Sequence, residues 1–344
     1  MLPYCTSDLP GAGGACPPRS RQCTELLTAN PGGEAGENGH WWVQVRKVGL
    51  GTTQARQAVA RAARCSEDLV ACAGHRDRQA AVVQWLSVPA RVVDHPNQLK
   101  LAGAHGKLTV VNVLGCPRPV TASSVDTLRW SLRIEGAPGT GYLRAKAVLD
   151  RLRRLGLANY IDPVLVTPEL VQHGRQVLAG RRAADPSRAR WAVQAWLFNA
   201  ACAERVHDGL LGSAIPGDLV ADAARELHLV ADPGSWRGRL DNHDAHPTGP
   251  WFGGDMPAPA AAAAEREERL IDAFGVAPAA LASLPGGHRR AYRIQPRQVQ
   301  VLVEGSAIRI SCDLPAETHI AVLLREVLKE ADLSAPPPDD APEE

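Results

Sequence analysis

The sequence predicts a mixed α+β protein in which one sheet domain is interrupted by a more helical segment. Strand-like alternation is clearest in 129–135, where every second residue from Trp130 to Ile134 is apolar. The middle of the chain, 173–269, is more helical and is punctuated by proline and glycine. Alternation then returns in 298–313. The chain of 344 residues is long enough for one large domain or two of moderate size.

Local patterns place the elements of the first half. Thr52 and Thr53 can cap a helix that runs to about Arg64. A second helix is expected over 140–155, because its apolar residues recur at helical spacing and Gly156 can end it. Strands are expected at 40–47, 69–73, 84–88, 107–114 and 129–135.

The second half combines helices with loops and ends in a hairpin. A helix is indicated where Trp191, Ala195, Phe198 and Cys202 share one face. The alanine run 260–264 begins another helix, and 318–328 has the pattern of an amphipathic one. The expected hairpin joins 298–303 to 307–313 through Glu304-Gly305-Ser306.

The formal charge of +1 conceals an uneven distribution. The segment 330–344 holds six acidic residues and no basic one, so the rest of the chain carries +7. The stretch 100–154 contains ten Lys and Arg residues against three acids. Such an excess suits a polyanionic partner, although a solvated basic face would have the same composition.

The cysteines and the hydropathy indicate the cellular environment of the protein, and they do not indicate any particular chemical reaction. The eight cysteines are scattered and form no C-x-x-C pair, which argues against a zinc ribbon and favours free thiols in a reducing compartment. No apolar stretch approaches the length of a membrane span, and the N-terminus lacks a signal-peptide pattern. We therefore expect a soluble, cytoplasmic protein.

The most informative short stretch is ACAGHRDRQAAVVQW, residues 71–85. It places Asp77 between Arg76 and Arg78 on an expected loop between two strand-like runs. Opposite charges nearby favour the ionised form of a carboxylate, and such a group in a cleft can act as a nucleophile or a base. The alternative is a surface loop whose three charges are simply solvated.

Other clusters are weaker candidates. Residues 241–246, DNHDAH, could bind zinc, but neighbours in a loop lack the spacing of a built site. His75 with Cys65 or Cys72 could form a nucleophile pair, yet no third orienting group is evident. The other weak signals are Gly49-x-Gly51 as a phosphate loop and Trp41, Trp42 and Trp85 as stacking platforms.

The stretch 73–85 resembles the signature of the TruD family of tRNA pseudouridine synthases. Gly74, Asp77, Arg78, Gln84 and Trp85 match in order and spacing. The stretch 36–63, GENGHWWVQVRKVGLGTTQARQAVARAA, is similar to the family's lead-in. Further similar stretches are Leu157-Ala158-Asn159-Tyr160, Leu197-Phe198-Asn199 with Glu204-Arg205, Pro216-Gly217-Asp218, Pro247-Thr248-Gly249-Pro250 and 314–328.

The resemblance implies a pseudouridine-synthase-like domain with a mixed or antiparallel sheet, interrupted by an inserted TRUD-type domain. It implies that a uridine of tRNA, U13 of the D-arm in this family, is isomerised without a cofactor or a metal. Asp77 is then the catalytic carboxylate, and no small-molecule cofactor or membrane is a partner. The residues expected to contact or hold the substrate are Arg76, Arg78, Gln84, Lys107, Asn159 and Tyr160.

The resemblance also implies a domain organisation. The expected catalytic domain comprises 25–172 and 289–330, with the insertion at 173–288. A loose N-terminal segment, 1–24, precedes it, and a disordered acidic, proline-rich tail, 331–344, follows it. A monomer is expected, although the sequence does not fix the oligomeric state.

Several positions depart from the family's pattern. Arg76 stands where the family has lysine, and Ile161 where it has phenylalanine. The stretch 162–168 replaces a glycine-containing pattern, and the glutamate expected in the first strand falls near Thr28. Ile320-Ala321 replaces an Ala-Thr pair. These changes leave a second hypothesis open, a catalytically degenerate RNA-binding protein on the same scaffold. A third, a metal hydrolase built on DNHDAH, predicts bound zinc.

The acidic tail generates the first testable prediction. If 330–344 competes with RNA for basic residues, its deletion should strengthen binding to random RNA several-fold at low salt. Filter binding of the full and shortened chains at two salt concentrations measures this. Equal affinities at low salt would contradict the competition.

Overall fold

The computed structural model describes residues 2–29, 32–36, 38–103 and 107–329, so the acidic tail lies outside the described residues. The chain forms two compact units. The sheet unit comprises Gly14–Tyr142 and Arg297–Glu317. The second unit comprises Met1–Gly13, Leu143–Pro296 and Thr318–Glu344. The sheet unit is thus discontinuous in sequence, which is compatible with an inserted domain, while the boundaries expected at 173 and 288 stay a prediction.

The helices and strands follow in chain order. The strands are β1 (Arg21–Leu27), β2 (His40–Val48), β3 (Ala71–Cys72), β4 (Ala81–Pro89), β5 (Leu108–Cys116), β6 (Val125–Ile134), β7 (Leu157–Ala158), β8 (Leu219–Asp222), β9 (Leu227–Leu229), β10 (Ala245–Trp251), β11 (His288–Ala291), β12 (Arg293–Ile294), β13 (Arg297–Glu304) and β14 (Ala307–Pro315). The α-helices are α1 (Thr52–Ala63), α2 (Gly141–Leu155), α3 (Pro168–Leu178), α4 (Pro186–His207), α5 (Arg237–Asp241), α6 (Ala261–Phe274), α7 (Pro278–Ala282) and α8 (Ile320–Leu328).

The sheet unit is built on a mixed sheet. Among the described residues its eight strands run in the order β13-β14-β6-β1-β4-β2-β5, with β3 paired to β4. The β1–β4 pair is parallel, whereas the neighbouring pairs are antiparallel. The predicted α+β class with a mixed sheet is therefore confirmed. Because β1 and β4 are adjacent in the middle of the sheet, residues at the start of β4 lie close to residues of β1.

Helix α1 covers one face of this sheet. Val43 and Val45 of β2 and Leu86 of β4 form a buried core with Ala55 and Val59 of the helix. Strand alternation places Lys47 on the same face of β2 as the two valines. The opposite face carries Trp42 and Trp85, which are buried and lie with their ring centroids 6.0 Å apart. These two tryptophans therefore pack in the protein interior.

The second unit corrects one expectation of the sequence analysis. Its middle, expected to be helical and loopy, contains an antiparallel sheet in the order β11-β10-β8-β9. The stretch HPTGP lies within β10, although its prolines suggest a turn. Strand β10 changes partner along its length, from β8 at residues 245–247 to β11 at 248–251. Pro247 still contributes its carbonyl, which accepts a bond from Tyr292 N at 2.9 Å.

Helix α4 confirms the predicted apolar face. Ala195, Phe198 and Cys202 are fully buried, and Phe198 stacks on Tyr292 with centroids 5.9 Å apart. Nearby, Arg205 of this helix forms a buried ion pair with Asp218. No helix among the described residues is long and apolar enough to cross a membrane. The eight cysteines all lie among the described residues and form no disulfide bond there.

The Arg205–Asp218 pair gives a prediction about stability. Asp218→Asn leaves a guanidinium buried without its counter-charge, so the free energy of unfolding should fall by ~3–5 kcal/mol. Asp150→Asn removes an acid that pairs with Lys146 on the exposed surface of α2. That control should change stability by less than ~1 kcal/mol. Urea denaturation followed by circular dichroism measures both, and equal effects would contradict the burial argument.

Candidate active site

Asp77 lies on the loop between β3 and β4, on the sheet unit. Its Oδ1 accepts a hydrogen bond from Gln79 N at 2.8 Å, the geometry of an Asx turn. The residue is half-buried, so the carboxylate is fixed on one side and reachable on the other. The loop enters through Gly74, whose φ of 156° and close approach to Arg76 leave little room for a side chain. Asp77 is thus an oriented and accessible carboxylate.

Arg76 is held by a buried ion pair. Its Nε lies 2.7 Å from Oε1 of Glu25, and the two side chains are 8 % and 0 % exposed. Oε2 of Glu25 accepts a bond from Trp85 N, also at 2.7 Å. Burial raises the pKa of Glu25, whereas the Arg76 charge lowers it. The glutamate therefore joins β1, β4 and the Asp77 loop.

Two polar residues hold the main chain of the same loop. Gln84 is fully buried and donates through Nε2 to the carbonyl of Gly74 at 2.8 Å. Its Oε1 accepts from Oγ1 of Thr52 at 3.1 Å. The same Thr52 oxygen accepts from Arg76 N at 3.0 Å. The first residue of α1 and the fourth residue of β4 therefore fix the loop on both sides of His75.

Lys47 completes this neighbourhood from β2. It is fully buried, and its Nζ lies 2.8 Å from the carbonyl of Leu50. The same nitrogen lies 3.3 Å from the Asp77 carbonyl and 3.5 Å from the Arg76 carbonyl. Two buried cations and one buried anion therefore surround Asp77 within the sheet unit.

Arg78 and Lys107 are the exposed basic residues of the expected site. Arg78 directly follows Asp77, and Lys107 precedes β5. The carbonyl of Lys107 accepts a bond from Val48 N at 2.9 Å, which places it beside the end of β2 that carries Lys47. Their positions suit contacts with a solvent-borne anion such as an RNA phosphate.

Asn159 and Tyr160 lie in the second unit and are both buried. Asn159 donates from Nδ2 to the carbonyl of Ala291 at 3.1 Å, and its Oδ1 accepts from Arg290 at 2.7 Å. The hydroxyl of Tyr160 lies 3.5 Å from the carbonyl of Pro3. These contacts orient both side chains within the unit. Because both side chains are buried, they would act on a substrate indirectly, through the residues that they contact.

The structure revises the interpretation of the Asp77 stretch. The sequence suggested that both flanking arginines act on Asp77, but the guanidinium of Arg76 pairs with Glu25. It also suggested that the glutamate of the first strand had drifted to the vicinity of Thr28, whereas β1 carries Glu25 in a buried ion pair. Strand alternation held the missing signal, because Glu25 shares the buried face of β1 with Cys23. Lys47 was also missed, although strand alternation places this charged residue on the apolar face of β2.

Two weaker candidates of the sequence analysis, DNHDAH and Cys65, have surroundings that do not favour the chemistry expected of them. In DNHDAH, His243 contacts the backbone carbonyl of Arg154 through Nε2 at 3.0 Å. Among the described residues, ligand atoms come within 4.8 Å of one another at Asp222, Glu226 and His228. The Asp222 carboxylate there already accepts from backbone amides of its own hairpin. Burial raises the pKa of the Cys65 thiol, which is the opposite of an activated nucleophile.

The family model for tRNA pseudouridine synthase D (TruD) matches residues 3–163 and 191–327. The chain belongs to this family. It is therefore a pseudouridine synthase, which is an isomerase. The matched ranges include the Asp77 loop, Glu25, Lys47 and Asn159.

Two curated relatives and one solved structure agree with this assignment. The tRNA pseudouridine synthase D of Anaeromyxobacter dehalogenans is 33 % identical over 362 residues, covering 99 % of each chain. That of Thermus thermophilus is 28 % identical over 355 residues, covering 98 % of this chain and 96 % of the relative. The crystal structure named for TruD of Methanosarcina mazei superposes with a TM-score of 0.72 at 15 % identity, covering 96 % of each chain. At that identity the structural match shows the fold alone.

The Glu25–Arg76 pair generates a prediction for this TruD-family site. Glu25→Gln leaves the Arg76 guanidinium buried without a counter-charge, so kcat should fall by ~10²-fold and stability by ~3–5 kcal/mol. Arg76→Lys keeps the charge and restores the family's residue, so it should retain most of the activity. Tritium-release kinetics and urea denaturation measure the two effects. Wild-type kcat in Glu25→Gln would contradict a role for the pair.

Proposed function

We propose that the chain is a tRNA pseudouridine synthase that converts U13 of the D-arm to pseudouridine, with Asp77 as the catalytic carboxylate. The observation that carries this proposal is the fixed position of Asp77 on a half-buried loop. That loop is anchored by Glu25, Thr52 and Gln84. Preorganisation of this kind supports catalysis, because a reacting group must be held close to its productive geometry.

The reaction is an isomerisation and balances without a co-reactant. The N1–C1′ glycosidic bond breaks, the uracil turns within the site, and a C5–C1′ bond forms. C5 then loses its proton and the freed N1 takes up a proton, so the product has the same composition as the substrate. A carboxylate can start this sequence by attacking C1′ or by removing the 2′ proton of the ribose. Either route requires the ionised form of Asp77, and no net oxidation or reduction occurs.

The substrate requires an electrostatic surface as well as a catalytic group. Affinity for tRNA depends largely on phosphate contacts, and Arg78 and Lys107 are exposed beside the loop and the strand end. The target base must leave its stack before the carboxylate can reach its ribose. Arg76 and Gln84 are buried, so we assign them to holding the loop. In the second unit we assign Asn159 and Tyr160 to supporting the nucleotide-binding groups.

A second candidate function is an RNA-binding protein that has lost catalysis. One observation favours it. Ile161, which replaces the family's phenylalanine, is buried, and Asn199 binds both its N–H and its carbonyl, at 2.8 and 2.9 Å. This segment is therefore well ordered but offers no aromatic ring at that position for stacking.

Tritium release separates the two candidates. The substrate is tRNA labelled at C5 of uridine, because only attachment through C5 expels that tritium. Wild type should release tritium, and Asp77→Asn should reduce the rate by at least ~10³-fold while tRNA binding persists. Asparagine can still accept the bond from Gln79 N, so the loop should keep its geometry.

Two controls sharpen the result. Asp94→Asn removes an exposed carboxylate elsewhere on the sheet unit and should leave the rate unchanged. A transcript with cytidine at position 13 should release no tritium if U13 is the target. Release from that transcript at the wild-type rate would reject U13. Salt-sensitive binding without any release from a mixed tRNA pool would favour the non-catalytic binder.

A further inference from the structure

Lys47 is a charged group that the chemistry of Asp77 does not itself require. It lies on the face of β2 that also buries Val43 and Val45, and it is fully buried. Burial lowers its pKa to about 8, although the charge of Asp77 acts in the opposite direction. A buried ammonium is costly unless hydrogen bonds and nearby charges offset its lost hydration. Its presence here therefore needs an explanation.

The acceptors of Lys47 belong to two separate segments. The carbonyl of Leu50, at 2.8 Å, lies in the turn between β2 and α1. The carbonyls of Asp77 and Arg76, at 3.3 and 3.5 Å, lie in the loop between β3 and β4. An ammonium has three N–H donors and so can serve all three oxygens. One side chain thus connects the turn to the loop of the carboxylate.

These contacts complement those of the side chains around the loop. Glu25 holds the guanidinium of Arg76, and Thr52 accepts from Arg76 N. Lys47 binds the main-chain carbonyl of Asp77. The backbone of Asp77 is therefore fixed from both directions, while its Oδ1 accepts from Gln79 N.

We propose that Lys47 is a positioning residue for the pseudouridine synthase reaction, acting through the main chain of Asp77. This inference rests on the proposed catalytic role of Asp77. Lys47 contacts backbone carbonyls and is fully buried, so it is not assigned a contact with the substrate.

The electrostatics of Lys47 set the direction of any pH effect. Burial holds the pKa of Lys47 at about 8 in the ordered loop, below that of a solvated lysine, so the ordered loop binds this proton more weakly than an opened loop would. The groups that face Lys47 are Asp77, Glu25, Arg76 and Cys23. Burial raises the pKa of the Cys23 thiol to about 12, so Cys23 keeps its proton in the same pH window. Raising the pH through about 8 should therefore not open the loop, so substitution is the test of the role of Lys47.

Lys47→Met and Lys47→Arg test the role. Steady-state tritium release at neutral pH gives kcat and KM for each variant. Lys47→Met should lower kcat by ~10²-fold with little change in KM, because the loop is positioned less well while the phosphate contacts stay. Lys47→Arg keeps a charged donor at this position, so it should recover part of kcat.

A matched control removes the same charge from an exposed position. Lys146→Met, on the exposed surface of α2, should leave both kcat and KM unchanged. Wild-type kcat in Lys47→Met, or a raised KM with unchanged kcat, would overturn the inference. If Lys47→Met fails to fold by circular dichroism, Lys47→Arg decides: partial kcat at unchanged KM supports the role, and a folded Lys47→Arg that alters KM and not kcat would overturn it.

The failure of this inference is distinguishable from that of the proposed function. An active Asp77→Asn variant would remove the catalytic role of Asp77 itself. An inactive Asp77→Asn together with a Lys47→Met of wild-type activity would reject only the positioning role. Substitutions at the two residues therefore test the two roles independently.

Discussion

The buried ion pair between Glu25 and Arg76 is the constraint on which the site depends. Charges taken out of water are retained only when each is paired and hydrogen-bonded, and this pair meets both conditions. Its second carboxylate oxygen binds Trp85 N, so the pair also connects the central parallel strands β1 and β4. The Asp77 loop is consequently anchored to the middle of the sheet.

Charge balance extends this constraint to the whole neighbourhood. Glu25 and Asp77 provide two carboxylates. Arg76 and Lys47 provide two cations that lie close to them in space. The three buried charges are stabilised by one another and by Asp77, so removing one changes the environment of the rest. We therefore expect the buried residues to influence the half-buried carboxylate of Asp77.

Much of the fold followed from local patterns, and part of the site did not. Alternation in 129–135 and the hairpin around Gly305 predicted β6, β13 and β14, because each pattern is set by residues close together in the chain. The sheet of the second unit was missed, since prolines in β10 suggest a turn when the strand partners are unknown. Glu25 was missed because its partner lies 51 residues away along the chain, and only the register of the sheet brings the two together.

The exchange of lysine for arginine at position 76 shows how a departure from the family's pattern can be accommodated. Arginine differs from lysine in offering several donors in a fixed plane. Arg76 uses this by donating from Nε to Glu25 and from Nη1 to the carbonyl of His75. The charge is kept and a contact within the loop is added. The exchange at position 76 therefore keeps a cation against buried Glu25, which is compatible with the proposed catalytic role of Asp77.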